Sequence, residues 1–452
     1  RQDGPIQDVM GPWYHDTFWP MVWGDLNVQL QYWTHLVSNR LDLGESLPNN
    51  LDKYAENLER NVPEHWQDSA AIGPLFPQDC LSQDHGKVPD MLAWVLHNYW
   101  LHCSYAGDRQ RMRNGLFPLL RKTVKGYLNY IKDNPVAAND GRLHIKNSWS
   151  PEYPEGHGQD INFSIALCRW ACQMLLELNA EHGLNDPMVA EWQNVVDNLV
   201  GFQTDETGLR IGRDIAFEKP HRHYSHLLGF FPLGLITPEQ PADRELLRTS
   251  LDHWLEVSSG VEKDEEGATA VCGYTATGAA SMYAWLGDAE EAGHYLGFLI
   301  QHRLITPTTM YSEGNPVIET PFSFCTSIHD MLLQSWDGTI RVFPAVPENW
   351  ENVAFHQFRT QGAFLVTAKR SEGVTQFVCL KSLTDSPCRI QPDIDDPDIY
   401  INGNTAAPGL VEVCTGGCYK IAMNKGDEIL FANSKQENAE LRIAAVSCAD
   451  ER

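Results

Sequence analysis

The sequence has no long hydrophobic run, and no stretch approaches the ~20 uninterrupted apolar residues that a transmembrane helix requires. Basic residues are scarce: Lys and Arg number 34 against 60 Asp and Glu, which gives a formal net charge of −26. An acidic surface repels phosphate backbones and anionic lipids, so we expect neither nucleic-acid binding nor membrane insertion. The hydrophobic content of 42% is that of a globular protein.

Two motifs of metal sites are also missing. The eleven cysteines include no CxxC pair and there is no HExxH segment, so no zinc site of either kind is expected. Cys168 and Cys172 share a predicted helix face, where we expect buried apolar groups. Cys414 and Cys418 flank two glycines in a predicted hairpin, where they could stay free or pair. The chain starts at Arg1 without Met, so we expect a removed N-terminal segment or a fragment.

Hydrophobic periodicity divides the chain into a helical part and a strand part. Apolar residues recur at helical spacing over 92–103, 120–131 and 163–174, and further helices are predicted around 27–40, 51–61, 186–203, 244–258, 274–286, 289–303 and 323–336. Roughly ten to twelve helices without a fixed repeat favour a closed ring over a regular solenoid. Short alternating runs after Pro344 predict a β-sandwich. We therefore predict a helical domain over 1–345, a β-sandwich over 346–435 and a polar tail over 436–452.

One segment has the properties of a loop that holds a general acid in a fixed position. In NSWSPEYPE, residues 147–155, Glu152 stands between two prolines just before a predicted helix. Prolines fix the backbone, and a general acid must be positioned before its pKa matters. Nearby Trp149 could desolvate the carboxyl group and raise its pKa, which would keep a proton available at neutral pH. The alternative is an ordinary surface glutamate in a turn.

Two further segments place carboxylates near predicted helix starts. In DLNVQLQYW, residues 25–33, Asp25 and Asn27 are predicted either to form a polar cluster at the mouth of a barrel or to start a helix that Asp25 caps. Glu319 comes before the predicted helix over 323–336. It is either a functional carboxylate or a charge that interacts with the helix N-terminus.

A fourth segment, HRHYSH at residues 221–226, contains three histidines in six residues. A metal site is one interpretation, but no supporting carboxylate is apparent in the sequence. Recognition of sugar hydroxyls by His221, Arg222 and His223 is therefore favoured.

The tryptophans are unevenly distributed, with eight of the fourteen in the first third of the chain. Most are expected to fill the core. Trp19, Trp23 and Trp149 lie in predicted loops. Because an aromatic face matches the C–H face of a pyranose, these three are the candidates for stacking on a sugar.

The four segments, in this order, resemble the catalytic core of glycoside hydrolase family 95, the inverting α-L-fucosidases and α-L-galactosidases. Residues 25–33 are similar to the family's Asn-x-Asn-x-x-Met-Asn-Tyr-Trp motif, and SPE at 150–152 is similar to its acid loop. HRHYSHL at 221–227 and MLLQS at 331–335 match two further family segments. WDGTIRVFPA, residues 336–345, resembles the segment that leads into the family's C-terminal β domain, so the resemblance spans nearly the whole chain.

This resemblance implies an (α/α)6 barrel followed by a small C-terminal β-sandwich, with no cofactor and no metal. It implies Glu152 as the general acid, Glu319 as the general base, and Asn27 and Asp25 at the positions that orient the water. The His-Arg-His segment would contact the sugar. This chain has Asp25 where the family has Asn, and Glu319 where the family has Asp. The resemblance does not include the family's large N-terminal β domain, so we expect a fragment, a processed chain or a divergent relative.

The predicted function is an exo-acting inverting glycoside hydrolase that removes terminal α-L-fucose-like or α-L-galactose-like units from an oligo- or polysaccharide. Its two carboxyl groups should lie roughly 6.5–9.5 Å apart, with Asn27 and Asp25 on the Glu319 side and Trp149 shielding the acid. A periplasmic or extracellular location is expected, and the oligomeric state is not predicted.

Two alternatives stay open. The first is a polysaccharide lyase acting on uronates, in which the histidines and Tyr224 supply base and acid. The second is a carbohydrate-binding protein that has lost catalysis through the changes at Asp25 and Glu319.

Overall fold

The computed structural model describes residues 2–11, 21–84, 87–137, 140–259, 271–301, 311–312, 316–433 and 443. Trp19 and nearly all of the predicted polar tail over 436–452 lie outside these residues. Within them, no helix has both the length and the hydropathy that crossing a membrane requires.

Thirteen α-helices lie in the described part of the chain, all before residue 333. They are α1 (Asn27–Gln31), α2 (Thr34–Val37), α3 (Ser46–Lys53), α4 (Ala55–Arg60), α5 (Asp90–Ala106), α6 (Arg109–Arg111), α7 (Phe117–Asp133), α8 (Asn162–His182), α9 (Val189–Asn198), α10 (Pro241–Ser259), α11 (Gly273–Leu286), α12 (Ala289–Gln301) and α13 (Glu319–Leu332). Shorter helical turns are the 3₁₀ segments Leu41–Leu43, Ser225–Leu227 and Trp336–Gly338 and the π-helical segment Met112–Leu116.

The long helices follow the hydrophobic periodicity of the sequence. In α5 the predicted stripe is buried, with Trp94 and Tyr99 almost inaccessible to solvent. Both α5 and α8 end at a glycine in the left-handed conformation, Gly107 at φ +70° and Gly183 at φ +59°. A residue without a Cβ is favoured there, because it satisfies the last helical carbonyls without steric cost. The helices predicted over 92–103, 120–131 and 163–174 are therefore confirmed.

The helix predicted over 27–40 is wrong, because the chain forms two short helices, α1 and α2, in its place. Tyr32 and Trp33, which lie between the two helices, contact different parts of the structure. The Tyr32 hydroxyl shares a 2.7 Å hydrogen bond with Ser46. The Trp33 ring packs edge-on against Phe231 at 5.5 Å between centroids. These contacts override the local periodicity.

Short two-stranded ladders connect the helices, and two larger sheets follow them. The strands are β1 (Val22–Trp23), β2 (Leu75–Phe76), β3 (Ser148–Trp149), β4 (His157–Gly158), β5 (Thr204–Asp205), β6 (Gly208–Leu209), β7 (Tyr311–Ser312), β8 (Pro316–Val317), β9 (Leu333–Gln334), β10 (Ile340–Val342), β11 (Val353–Thr360), β12 (Phe364–Ser371), β13 (Val374–Ser382), β14 (Cys388–Gln391), β15 (Asp398–Ile401), β16 (Asn404–Thr405), β17 (Val411–Cys414), β18 (Cys418–Ile421) and β19 (Glu428–Ala432).

The C-terminal part contains a six-stranded sheet, β11-β12-β13-β19-β15-β16, and a five-stranded sheet, β17-β18-β14-β10-β9. All neighbouring strands are antiparallel except β10 and β14. The sheets contact each other through Tyr419 and Phe431, whose rings are 5.4 Å apart. The predicted change from helices to strands is confirmed. Because β9 and β10 precede residue 346, the domain boundary at 345/346 stays a prediction.

Arg359 is one of the residues that connect the sheet region to the helical region. Arg359 in β11 donates to the carbonyl oxygen of Tyr105 at the end of α5, at 2.7 Å, and to the side-chain oxygen of Asn39, at 3.0 Å. Apolar side chains of both regions belong to the same hydrophobic core.

The cysteines follow the sequence analysis in part. Cys168 and Cys172 are buried in α8, as predicted. Cys414 and Cys418 stand opposite each other across the β17–β18 ladder as free thiols. The hairpin is therefore present, and the alternative that its cysteines pair is wrong.

Candidate active site

Six of the predicted site residues line one small cavity of about 70 Å³ in the helical region. They come from segments nearly 300 residues apart, so only the fold can bring them together. Val9, Tyr274 and Val317 complete the lining. The predicted residues are Trp23, Asn27, Glu152, Arg222, His223 and Glu319.

The loop that carries Glu152 is held by its own hydrogen bonds and by distant segments. The Ser150 amide donates to the carbonyl oxygen of Gly156 at 2.9 Å, and the amides of Tyr153 and Gly156 donate to the carbonyl oxygens of Ser150 and Tyr153. The Ser150 Oγ bonds Ser225 Oγ at 2.7 Å. The Tyr153 hydroxyl accepts from the backbone amides of Glu218 and Lys219 at 3.0 Å. The rigid mount expected from the two prolines is therefore present.

Glu152 itself adopts a strained backbone conformation. Its φ is +55°, in the left-handed region that residues other than glycine seldom occupy. Such strain is of order 1 kcal/mol or more and persists only where the surroundings fix it. At Glu152 the fixed turn supplies that constraint.

The Glu152 carboxylate accepts hydrogen bonds from two nitrogen donors. His223 Nε2 lies 2.7 Å from Glu152 Oε2, and the Arg222 guanidinium lies 3.1 Å from the same oxygen. Burial alone would raise the pKa of Glu152, but the hydrogen bond from His223 and the charges of His223 and Arg222 outweigh burial and lower it. The expectation of a raised pKa for this carboxyl group is wrong, because its partners stabilise the ionised form.

His221 lies behind this pair and does not line the cavity. Its Nε2 donates to the carbonyl oxygen of Pro151 at 3.1 Å, and its ring stacks on His223 at 5.3 Å. Burial and the neighbouring His223 lower the pKa of His221 to about 3, so it is neutral. The prediction that His221 contacts the sugar does not fit this position. His221 instead supports the acid loop and the His223 ring.

Glu319 is the first residue of α13 rather than part of a loop. The side chain is 1% exposed, and the helix N-terminus favours a negative charge at this position. The backbone before it is fixed by the amide of Ile318, which donates to the carbonyl oxygen of Val9 at 2.9 Å. The second predicted carboxylate is thus buried at a helix start that opens on the same cavity as Glu152.

Asp25 is buried close to the charges around Glu152. Leu26, not Asp25, is the N-cap residue of α1, and no side chain caps that helix, so the capping alternative is wrong. Burial raises the pKa of Asp25 to about 6, opposed by the charge of His223 and assisted by that of Glu152. Its Oδ1 has no hydrogen-bond partner among the described residues. Asp25 is therefore coupled electrostatically to the acid side of the site, and its position beside Glu319 stays a prediction.

The two candidate stacking tryptophans in the described residues occupy different places. Trp23 in β1 lines the cavity, as predicted. Trp149 in β3 lines a separate cavity with Tyr130 and His157. It therefore does not shield Glu152 in the way the sequence suggested, because the β3–β4 ladder turns its ring towards His157, 6.0 Å away.

Tyr274, near the start of α11, was not recognised in the sequence. Its ring packs edge-on against His223 at 5.2 Å and lies under the Arg222 guanidinium at 5.8 Å. The neighbouring Gly273 lets the start of α11 lie close to α13, because a Cβ there would lie 2.4 Å from the Thr320 side chain. The sequence gives no signal of this contact with His223 and Arg222, because a tyrosine at a helix start has the same pattern as an aromatic residue of the core.

The described residues contain no cluster of three His, Cys, Asp or Glu side chains arranged to hold a metal ion. The three histidines of residues 221–226 instead have protein partners. His226 stacks on Phe217 at 4.6 Å, in addition to the contacts of His221 and His223. Two carboxyl groups with unlike surroundings, in one cavity of a helical domain, are a site typical of glycoside hydrolases.

The comparisons with known proteins agree with this class. The family model named glycosyl hydrolase family 95 catalytic domain matches residues 7–332, and the chain belongs to this family. It is 24% identical over 419 residues to "Alpha-L-fucosidase 2" from Arabidopsis thaliana, which covers 82% of this chain and 46% of the relative. It is 22% identical over 347 residues to "Probable alpha-fucosidase A" from Aspergillus niger, covering 70% of this chain and 41% of the relative. The chain thus spans less than half the length of these curated relatives.

The fold is also similar to that of a solved structure. A protein from the human microbiome that carries the provisional name kojibiose phosphorylase aligns with a TM-score of 0.57 at 12% identity. The alignment covers 86% of this chain and 60% of that protein. This likeness concerns the helical fold and its C-terminal sheets alone.

Proposed function

We propose that this chain is an inverting exo-glycoside hydrolase that releases terminal α-L-fucose-like or α-L-galactose-like units from glycans. Glu152 is the general acid and Glu319 the general base. The observation that carries the proposal is that both carboxyl residues line one cavity although they are far apart in sequence. An inverting enzyme needs two carboxyl groups across the anomeric carbon with room for a water, so we expect a separation of roughly 6.5–9.5 Å.

The proposed architecture behind this site is an (α/α)6 barrel with a C-terminal β-sandwich. Asn27, Tyr274 and Glu319 lie in the first turns of α1, α11 and α13, and all three line the cavity. A closed ring of helices would bring several helix N-termini together at one end in this way. The family's own barrel supports the same interpretation.

Glu152 supplies the proton for the leaving group, and its partners determine when it is protonated. The lowered pKa of Glu152 keeps its carboxyl group ionised while Arg222 and His223 bind it, with His223 Nε2 2.7 Å from Glu152 Oε2. A sugar that enters the cavity displaces Arg222 and His223 from Glu152 by taking their hydrogen bonds. The carboxyl group then loses both partners while it stays buried, so its pKa rises and it takes up a proton from solvent. It passes this proton to the glycosidic oxygen as the bond to the anomeric carbon breaks.

The attacking water belongs to the Glu319 side. Glu319 accepts the proton of the water as the water attacks the anomeric carbon, while Asn27 orients it by hydrogen bonding. Arg222 and His223, once released from Glu152, donate to sugar hydroxyls. Trp23 supplies an apolar face in the same cavity.

The test is a screen of aryl glycosides that includes p-nitrophenyl α-L-fucoside and α-L-galactoside, read by release of the phenol. We expect turnover of at least one of these two and no product absorbing as a conjugated alkene. Turnover of neither of them, with ultraviolet-absorbing products from uronate polymers, would replace the hydrolase by a lyase. Binding of sugars without turnover would replace it by a catalytically inactive relative.

A further inference from the structure

A buried carboxylate outside the candidate active site closes the loop that carries Glu152. The Asp160 side chain is 0% exposed, lies two positions before the start of α8 and does not line the cavity. The proposed mechanism gives it no role. A fully buried carboxylate is rare unless it is paired, so its partners indicate what it holds in place.

Both oxygens of Asp160 accept hydrogen bonds from the two ends of this loop. Oδ1 accepts from the backbone amide of Ile145 at 3.0 Å. Oδ2 lies 2.7 Å from His144 Nδ1 and accepts from Gln159 Nε2 at 2.9 Å. The amide of Asp160 in turn donates to the carbonyl oxygen of Ile145 at 2.8 Å. Asp160 and Ile145 therefore exchange two bonds across the base of the acid loop.

The His144 ring is held between two carboxylates and keeps this closure in a fixed geometry. On the side away from Asp160, its Nε2 lies 3.2 Å from both oxygens of Asp140. The His144 side chain is 2% exposed, so its ring cannot turn away without leaving a buried nitrogen unpaired. Arg213 Nη1, 3.5 Å from Asp160 Oδ2, adds a positive charge. The base of the loop is thus held by side chains as well as by backbone bonds.

The acid loop needs such a closure because its backbone is strained at several points. Four of its residues other than glycine have φ in the left-handed region: Asn147 at +56°, Glu152 at +55°, Glu155 at +59° and Asp160 at +54°. Strained backbone persists only where the surroundings fix it. Without the bonds at its base, we expect the loop to relax and to move the Glu152 carboxyl group.

We propose that Asp160 is a positioning residue for hydrolysis, which closes the base of the acid loop and so holds the Glu152 carboxyl group within reach of the glycosidic oxygen. Asp160 lies outside the cavity, so it acts through the loop and not by touching the substrate. The proposal rests on Glu152 being the general acid of the proposed function. A displacement of about 1 Å in a catalytic group can cost roughly 10²-fold in rate, so the effect is large enough to measure.

The test is Asp160→Asn, assayed on the methyl and p-nitrophenyl glycosides of whichever sugar, α-L-fucose or α-L-galactose, the enzyme releases. The variant keeps an acceptor for the Ile145 amide but sets an NH₂ group against the His144 donor. We expect kcat on the methyl glycoside to fall roughly 10- to 100-fold with KM within about twofold of wild type. The p-nitrophenyl glycoside needs little protonation, so its kcat should change less than about threefold.

The matched control is Asp186→Asn, a partly buried carboxylate outside the acid loop. Asp186 also accepts from one backbone amide, that of Met188 at 2.8 Å, and from one side chain, Arg121 Nε at 2.8 Å. Its substitution removes comparable bonds and should leave kcat on both glycosides within about twofold of wild type.

His144 variants guard against a folding defect in Asp160→Asn. His144→Ala removes the side-chain donor but leaves the two bonds between Asp160 and Ile145, so it should give a smaller loss, again confined to the methyl glycoside. His144→Asn supplies an amide N–H near the position of Nδ1 and should restore part of that loss.

A double variant shows whether the loss passes through Glu152. In Glu152→Gln the acid is already absent, so adding Asp160→Asn should lower kcat on the methyl glycoside by less than about twofold. Wild-type kcat in Asp160→Asn, equal losses on the two glycosides, or an undiminished further loss in the double variant would overturn the proposal while Glu152 remains the acid. If Glu152→Gln alone loses equally on both glycosides, the proposed role of Glu152 fails, and the role of Asp160 fails with it.

Discussion

The acid loop over 147–158 and the start of α13 each bring one carboxyl group to the same cavity, but in opposite surroundings. Glu152 is 26% exposed and accepts hydrogen bonds from His223 and Arg222. Glu319 is 1% exposed and lies in the first turn of a helix. These environments fit the two roles that we propose: the acid must change its protonation during the reaction, whereas the base must be ionised and aimed at one water.

The largest effect should follow removal of the base. Glu319→Gln keeps the shape of the side chain but cannot accept a proton from water. We expect kcat to fall by roughly 10²–10⁴-fold on natural and aryl glycosides alike, because water attack is needed for both. Added azide should restore turnover and give a glycosyl azide. A variant that keeps more than about a tenth of the wild-type kcat would remove Glu319 from the base role.

Removal of the acid should have an effect that depends on the leaving group. Glu152→Gln should lower kcat by roughly 10²–10⁴-fold on natural glycans and much less on aryl glycosides, whose leaving groups need little protonation. The matched control is Glu155→Gln, three residues further along the same loop, where the exposed carboxylate pairs with Lys219 at 2.7 Å. That control should retain activity, since exposed ion pairs contribute little. Equal losses on both substrate types would show that Glu152 is not the acid.

The third change acts on the protonation of Glu152. His223→Ala removes the strongest partner that lowers the pKa of Glu152, so this pKa should rise. The acid is active while protonated, and the alkaline limb of the kcat/KM profile should therefore move to higher pH. The loss of a sugar contact should raise KM by roughly tenfold.

His223→Gln keeps a donor without the charge and should recover part of the KM and, because the hydrogen bond itself lowers the pKa of Glu152, part of the pH shift as well. If the pH profile of His223→Ala coincides with that of the wild type, His223 does not control the protonation of Glu152. Stoichiometric zinc in the purified protein, lost in this variant, would restore the metal interpretation of residues 221–226.

We expect substitution of Asp25 to have the smallest effect on rate and a measurable effect on stability. Burial raises its pKa from 3.8 to about 6, so the folded state holds the proton more tightly than the unfolded state. The resulting cost of ionisation is absent below pH ~4 and complete above pH ~6, where it amounts to ~3 kcal/mol. Asp25→Asn should therefore unfold at higher denaturant concentration than wild type above pH ~6, with the difference shrinking as the pH falls.

The same substitution should move the alkaline limb of activity in the direction opposite to that of His223→Ala. The negative charge of Asp25 raises the pKa of Glu152, so Asp25→Asn should lower it and shift the limb to lower pH, with kcat within roughly tenfold of wild type. Asp90→Asn is the control: Asp90 also has a pKa raised to about 6 by burial, but it bonds Tyr127 and Ser164 away from the cavity. If the alkaline limb of the activity profile moves equally in Asp25→Asn and Asp90→Asn, Asp25 is a buried structural residue.

Much of this site could be predicted from sequence because its residues occur in ordered local motifs. Glu152, Glu319 and the Arg222–His223 pair were predicted with Asn27 and Trp23, and the structure brings all six to one cavity. The helices were predictable because the apolar period of 3.6 residues reflects one buried face.

The electrostatics could not be predicted in the same way. The direction of the pKa shift of Glu152 depends on His223, which is 71 positions away and reaches it only through the fold. For the same reason, the sequence could not show that Trp149 lies in a different cavity or that Asp25 couples to the acid side. Tyr274 was missed because an aromatic residue at a helix start has the same pattern whether it packs in the core or supports a site.

The most direct test of the central claim, that Glu152 and Glu319 are an inverting pair, is the configuration of the first product. Hydrolysis of the aryl α-L-fucoside or α-L-galactoside that the enzyme turns over should be followed by ¹H NMR, faster than the free sugar mutarotates. We expect the β-anomer to appear first and the α-anomer only later, by mutarotation. An α-anomer as the first product would show retention, with a carboxylate nucleophile in place of an activated water, and would contradict the inverting mechanism.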